Sequence, residues 1–181
     1  MQITIINGTG GSGKDTFVSY CKELLEDKSG LTTNCLNVST VDYVKEIAGY
    51  CGWNGEKDPA SRKFLSQLKD AMTEWRDLPV IDVKGQINRF EQMARWCGTW
   101  DKAVVFVHCR EPEEIARLVD ELNAKALLIR RESAENIQQI NHADNNVLNY
   151  EYDYTIYNNG TKEELKEEAR RYLTEFLGLN I

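Results

Sequence analysis

A glycine-rich segment near the amino terminus carries the residue types that bind phosphate. It occupies residues 8–16, between an apolar run at 3–6 and an apolar pattern with helical spacing at 17–25. Glycines can adopt positive φ and leave the backbone N–H groups open to phosphate oxygens, and the start of a helix adds favourable electrostatics. A lysine in the segment supplies a mobile positive charge. The segment therefore predicts a phosphate loop whose binding residues are Gly8, Gly10, Gly11, Ser12, Gly13, Lys14, Asp15 and Thr16.

Asp15 departs from the usual pattern of such loops, in which a Ser or Thr hydroxyl at this position meets Mg²⁺. A carboxylate repels a triphosphate unless a cation lies between them. We therefore expect Asp15, with Thr16 directly behind it, to contact Mg²⁺ directly or through water. An acidic residue in the first turn of a helix is also favourable against the helix dipole, and this simpler role stays open.

The composition is that of an ordinary globular protein and limits the possible partners. The 181 residues fit a single domain, 1–181, and a net charge of −7 argues against a broad nucleic-acid-binding face. No apolar run approaches the length of a membrane span, and no leader segment is visible. Five cysteines without a C-x-x-C pair favour a reducing compartment. We expect a cytoplasmic monomer or homodimer that binds small molecules rather than nucleic acid or membranes.

Strand and helix patterns alternate along the chain. The predicted strands are 3–6, 32–38, 103–107, 126–129 and 154–157. The predicted helices follow the loop, begin near Val41 with Ser39 or Thr40 as cap, begin at Pro59, span 83–96, begin at Pro112 and run from 161 to about 177. Such alternation predicts a three-layer α/β/α sandwich with a mostly parallel five-stranded sheet, as in phosphate-loop NTPases.

Two sequence motifs that are typical of a hydrolytic switch or motor are missing from the chain. The segment 123–126 reads Asn-Ala-Lys-Ala and lacks the Asp of a guanine-specific box. The central strand ends in His108, where many phosphate-loop ATPases have an Asp for magnesium. These differences weigh against a hydrolytic switch or motor.

In four segments the chain resembles the small phosphate-loop kinases that comprise phage-type deoxynucleoside monophosphate kinases and animal-type phosphomevalonate kinases. The segments are 12–16, 44–46, 108–114 and 154–161. In the third, Arg110 and Glu114 agree with an Asp-Val-Arg-Phe-x-Asn-Glu pattern, whereas His108 replaces its Asp. The fourth is similar to the ending of these kinases near the adenine base, which implies ATP-binding roles for Asn158 and Gly160.

The resemblance implies transfer of the γ-phosphoryl group of ATP to a small phosphorylated acceptor, with Mg²⁺. Because the attacking phosphate oxygen is already ionised, positioning and charge neutralisation carry such a reaction. The residues expected to stabilise the transferring group are Lys14, Arg110, Arg130 and Arg131. For Arg110 an ion pair with Glu113 or Glu114 stays open, and the other two arginines could be merely solvated.

The acceptor is expected in a helical region at about 41–100, and a lid-like segment at about 131–149 is expected to close over the phosphates. Candidate acceptor-binding residues are Asp42, Lys45, Arg62 and Lys69. Each has a plainer alternative: Asp42 as an acid near a helix start, the three cations as a solvated helix face. The acceptor itself stays open between a (deoxy)nucleoside monophosphate and phosphomevalonate. A nucleotide-dependent switch or non-catalytic ATP-binding module is the rival from another class.

Overall fold

In a computed structural model of the chain, which describes residues 1–26, 34–135 and 146–181, five strands form one sheet. They are β1 (Gln2–Asn7), β2 (Cys35–Ser39), β3 (Val104–His108), β4 (Lys125–Arg130) and β5 (Tyr154–Tyr157). The order across the sheet is β2-β3-β1-β4-β5, and every neighbouring pair is parallel. The predicted fold class is confirmed, with β2 displaced toward the carboxyl end of its predicted range.

The inner strands are apolar on both faces because helices cover both sides of the sheet. Successive residues of β3 alternate between two apolar clusters: Phe106 packs with α1-side residues, and Val105 and Val107 pack on the opposite face. In β1, Ile5 and Ile6 divide in the same way. Because all neighbouring strands are parallel, their carboxyl ends lie at a common edge of the sheet.

Seven α-helices lie in the described part of the chain. They are α1 (Lys14–Leu25), α2 (Asp42–Tyr50), α3 (Pro59–Arg76), α4 (Leu78–Trp96), α5 (Pro112–Leu122), the short α6 (Glu132–Glu135) and α7 (Lys162–Arg171), which continues as a π-helical turn at Tyr172–Phe176. Helices α1 and α7 pack together on one face of the sheet, whereas α2, α3 and α4 contact one another. The latter three form the helical region predicted for the acceptor.

Several helix ends follow directly from the sequence. Asp58 caps α3 by accepting hydrogen bonds from the amides of Ala60 and Ser61, and Pro59 occupies the first turn. Thr161 and Glu164 form the predicted capping box of α7, in which each side chain bonds the other residue's backbone N–H.

One predicted helix start and the predicted cap of another helix were wrong, whereas α2 begins beside Val41 as expected. Neither Ser39 nor Thr40 caps α2: its first flanking residue is Val41, and the Asp42 carboxylate instead accepts from the amide of Ser39 at 2.8 Å. Helix α4 begins at Leu78, five residues before the predicted start, because a left-handed Asp77 ends α3 and Pro79 is tolerated in the first turn.

Three large apolar residues of α3 and α4 are exposed: Phe64, Trp75 and Met93. Helix α3 packs against α2 and α4 rather than on the sheet, and only Met72 is buried on it. A helix at the margin of the fold has a narrow buried face, so its outer apolar residues stay in contact with solvent. None of the described helices is long and apolar enough to cross a membrane.

Candidate functional site

The phosphate loop (residues 8–16) connects β1 to α1, with Gly13 as the residue that precedes the helix. Gly8, Gly11 and Gly13 have φ of 150°, 81° and 98°. A β-carbon on Gly8 would lie 2.3 Å from the carbonyl oxygen of Ile129, and one on Gly13 would lie 2.3 Å from Nδ2 of Asn158. Both positions therefore require glycine for backbone conformation and for space.

Lys14 curls back over the loop. Its Nζ donates to the carbonyl oxygens of Gly8 and Thr9, at 2.5 and 2.9 Å. The hydroxyl oxygens of Thr9 and Ser12 are buried and have no hydrogen-bond partner among the described residues. Buried hydroxyls are ordinarily bonded, so two such groups beside a lysine and the start of a helix fit a bound oxyanion.

Asn158 braces the loop from the neighbouring strand end. Its Nδ2 donates to the carbonyl of Ser12 at 2.8 Å, and its backbone N–H donates to the carbonyl of Arg130 at 2.7 Å. Beyond it lies a cleft of about 230 Å³ whose lining residues are Tyr157, Asn158, Gly160, Thr161, Glu164, Leu165 and Glu168. The two residues predicted at the ATP base, Asn158 and Gly160, thus lie together on the α7 side of the loop.

Asp15 and Thr16 lie in the first turn of α1, and the Asp15 side chain is 95% exposed. One carboxylate and one hydroxyl are hard oxygen donors of the kind that suit Mg²⁺. No group of three or more metal-binding side chains occurs within residues 1–26, 34–135 and 146–181. The donor set therefore fits an ion that takes its remaining ligands from phosphate and water, which is the habit of Mg²⁺.

His108 ends β3 beside the loop, paired in register with Ile6 of β1. Its Nε2 lies 2.9 Å from Oδ1 of Asn37 and 4.0 Å from Oδ1 of Asp15. Burial lowers the pKa of His108. The positive charges of Lys14 and Arg110 lower it further, whereas the negative charges of Asp15 and Asp42 raise it. The ring is therefore biased toward its neutral form at physiological pH.

Asn7 joins the loop to Arg110, and its role was missed at the level of sequence. Its Oδ1 accepts from the N–H of Gly8 at 2.8 Å, while its Nδ2 donates to the carbonyl of Arg110 at 3.2 Å and to the Tyr152 hydroxyl at 2.7 Å. Asn7 is buried at the end of an apolar strand. A polar residue in that place was the available signal, because a buried amide must find partners.

The two predicted lid arginines lie at the end of β4 but differ in their surroundings. Arg130 forms a bidentate ion pair with Glu135, in which Nε and Nη2 lie 2.9 and 2.7 Å from the two carboxylate oxygens. Its guanidinium also lies over the ring of Tyr157. Glu135 further raises the pKa of Arg130, so its charge is fixed. Arg131 is exposed. Of the predicted lid at 131–149, residues 136–145 lie outside the described part of the chain.

The predicted acceptor residues are not equally placed. Asp42 and Lys45 face each other at 3.7 Å, and the Arg62 side chain is exposed with its Nε donating to the carbonyl of Lys57. Lys69 differs, because its Nζ lies 2.8 Å from Oε2 of Glu114 at the carboxyl end of the sheet. The structure thus brings Lys69 to the strand ends and leaves Arg62 on the outer start of α3.

Glu114 connects three elements at this edge. Its Oε2 accepts from Lys69 of α3, from the Cys109 thiol after β3 at 3.0 Å and from the Thr40 hydroxyl after β2 at 3.3 Å. Burial, then the charge of Glu114, raises the pKa of the Cys109 thiol well above its usual value. Beside Glu114 lies a groove of about 460 Å³ whose lining residues are Lys69, Asp70, Thr73, Glu74, Glu111, Glu113 and Glu114.

Substituting Gly13 by alanine tests the loop geometry against a matched control. Gly13 and Gly55 have φ of 98° and 94°, but a β-carbon on Gly55 meets nothing within 4 Å. Both variants should lose about 1 kcal/mol of unfolding free energy through backbone strain, and Gly13→Ala should lose more because its β-carbon collides with Asn158. Only Gly13→Ala displaces Asn158, so it alone should weaken ATP binding, by roughly tenfold or more. Urea denaturation and nucleotide titration check both; equal ATP affinities would contradict the loop assignment.

No protein-family model and no curated protein matches the chain, whereas solved structures do. The chain is similar to shikimate kinase from Aquifex aeolicus vf5 (14% identity, TM-score 0.48, covering 99% of this chain and 100% of that one). It is also similar to thymidylate kinase from Ehrlichia chaffeensis (13% identity, TM-score 0.48, covering 95% of this chain and 98% of that one). A further similar structure is shikimate kinase from Bacteroides thetaiotaomicron (13% identity, TM-score 0.45, covering 98% of this chain and 99% of that one). The parallel sheet of order β2-β3-β1-β4-β5, with a glycine-rich loop between β1 and α1, gives the chain the fold of a phosphate-loop NTPase.

Proposed function

We propose that the chain is an ATP-dependent, Mg²⁺-requiring kinase that transfers a γ-phosphoryl group to a small phosphorylated acceptor, a (deoxy)nucleoside monophosphate. The observation that carries this proposal is the convergence of three groups at the carboxyl edge of the sheet. Lys14 bends over the loop, Arg110 is tied to the first loop residue through Asn7, and Asn158 holds the loop from the side of β5. Ligands of open α/β sheets bind at this edge.

The reaction needs charge neutralisation more than acid–base chemistry, because a phosphate acceptor is already ionised. Lys14 would follow the β- and γ-phosphates, and Arg110 would face the group in transfer. Mg²⁺ bound to the nucleotide would supply further charge neutralisation, and Asp15 and Thr16 are the residues that would hold it. Arg130 and Arg131 would close over the phosphates and exclude water once the Glu135 pair is exchanged.

The ATP base is assigned to the cleft lined by Asn158 and Gly160, on the α7 side of the loop. The acceptor is assigned to the opposite side, where β2 and β3 end and where α2 to α4 pack together. Asp42, Lys45, Arg62 and Lys69 all belong to that region. ATP and acceptor would then approach Lys14 and Arg110 from two sides, as in-line transfer requires.

The acidic lining of the 460 Å³ groove favours a nucleotide over phosphomevalonate. Lys69 faces this groove with its charge already paired to Glu114, and the lining otherwise includes Asp70, Glu74, Glu111 and Glu113. Carboxylates accept hydrogen bonds from the amino and imino groups of a base, whereas the free carboxylate of phosphomevalonate would be repelled.

A coupled ADP-release assay with Mg-ATP tests the proposal directly. The panel contains every ribo- and deoxynucleoside monophosphate, phosphomevalonate and dephospho-coenzyme A. Strong stimulation by a nucleoside monophosphate is the expected result and names the base. Stimulation by phosphomevalonate alone would keep the kinase and overturn its acceptor. Slow release that no acceptor changes would favour a nucleotide-binding module that works through a protein partner.

A further inference from the structure

In this site the carboxylate stands in the phosphate loop rather than at the neighbouring strand end. In phosphate-loop NTPases a Ser or Thr after the loop lysine and an Asp at a neighbouring strand end hold Mg²⁺. In this chain the first position is the carboxylate Asp15, and the second is the imidazole His108. The inference drawn from this exchange rests on the proposed function, because it concerns the metal of that same ATP site.

The two side chains face each other across the loop. His108 ends β3, the neighbour of β1 in the sheet, and its Nε2 lies 4.0 Å from Oδ1 of Asp15. The ring is 16% exposed, whereas the Asp15 carboxylate is almost fully open to solvent. A group introduced at either position would therefore reach nearly the same space above the loop.

The surroundings of His108 explain why it does not act as the metal's anionic ligand. Nε2 lies 2.9 Å from Oδ1 of Asn37, and an N–H directed at this amide oxygen leaves the nitrogen no lone pair for a cation. The charged groups around the ring are Lys14, Asp15, Asp42 and Arg110. Of the two positions, only Asp15 combines a negative charge with open access.

We propose that Asp15 and His108 are an exchanged pair, in which the loop carries the metal-binding carboxylate that the strand end ordinarily supplies. The exchange keeps one carboxylate beside the nucleotide, so the net charge that balances Mg²⁺ and Lys14 is the same as in the usual arrangement. A second carboxylate at position 108 would place a like charge near Asp15 and repel it in the absence of the metal. An imidazole at that position carries no negative charge and avoids this repulsion.

The decisive measurement is the ratio of ATP affinity in Mg²⁺ to ATP affinity in EDTA. Each affinity is measured by displacement of a fluorescent ATP analogue. This ratio needs no acceptor and no turnover. Asp15→Ser should lower it by roughly tenfold or more, a loss of the size seen when groups that support a bound metal are removed. The double variant Asp15→Ser/His108→Asp, which restores the usual arrangement, should recover most of the ratio.

Matched variants separate charge from structure. Asp15→Ser/His108→Asn introduces a side chain of the same shape without charge, so it should stay as low as Asp15→Ser. Asp101→Ser removes an exposed carboxylate just before β3, at the opposite edge of the sheet, and should keep the wild-type ratio. Asp15→Asn serves as a second single variant if Asp15→Ser fails to fold by circular dichroism.

Two results would overturn the inference while leaving the kinase proposal intact. One is a wild-type ratio in both Asp15 single variants, which would return Asp15 to a helix-dipole role. The other is equal ratios in the Asp and Asn double variants, which would show that position 108 cannot supply the carboxylate. A wild-type protein that binds no ATP in either condition would overturn the proposed function, and the inference with it.

Discussion

Replacing Lys14 with alanine is expected to reduce phosphoryl transfer roughly a thousandfold or more, because the group in transfer loses its nearest mobile cation. The fold should survive, because Lys14 Nζ donates to two carbonyls of a surface loop, and the unfolding free energy should fall by less than about 2 kcal/mol. Acceptor-dependent ADP release and urea denaturation measure the two effects.

Lys22→Ala provides the matched control for this substitution. Lys22 is an exposed lysine in the last turn of the same helix, so its removal should leave turnover close to that of the wild type. Wild-type turnover in Lys14→Ala would remove the phosphate loop from the mechanism. A loss of turnover accompanied by unfolding would instead assign Lys14 a structural role.

Replacing Arg110 with alanine is expected to lower turnover far more than ATP affinity. Arg110 follows the central strand, and its backbone is held next to the loop by Asn7, so we expect its side chain to reach the group in transfer. Loss of one preorganised charge of this kind typically costs roughly a hundredfold to a thousandfold in turnover. ATP affinity, measured without acceptor, should change by less than about threefold, since ground-state and transition-state binding differ.

Arg171→Ala is the control for Arg110, because Arg171 is a surface arginine paired with Glu168 on α7. Its variant should match the wild type in turnover and in ATP affinity. If Arg110→Ala instead loses ATP binding with turnover at saturation unchanged, Arg110 belongs to the nucleotide site rather than to the transfer site.

The parts of the site that sequence alone predicts are those with local causes. Glycines followed by Lys14 after an apolar strand predict the loop, and the alternation of strands and helices predicts the parallel sheet. Asp58 before Pro59, and Thr161 three residues before Glu164, predict their helix starts. In each case neighbouring residues decide the outcome.

The parts that sequence reasoning missed depend on contacts between distant residues. Asn7 forms a hydrogen bond with Tyr152, 145 residues away in the sequence, and Thr40 forms one with Glu114, 74 residues away. Periodicity shows which face of an element is buried, but it does not show which side-chain oxygen another element's donor will find. The predicted cap of α2 was wrong for a related reason: Val41 precedes the helix, and the Asp42 carboxylate bonds the amide of Ser39.

The most direct test of the kinase account follows the phosphoryl group itself. Enzyme in excess is mixed with Mg-ATP labelled at the γ-phosphate and a saturating nucleoside monophosphate, and the products of a single turnover are separated. The account predicts that the label appears in the nucleoside diphosphate made from the acceptor, and that Lys14→Ala abolishes it. Label released only as inorganic phosphate, at a rate that no acceptor changes, would contradict it.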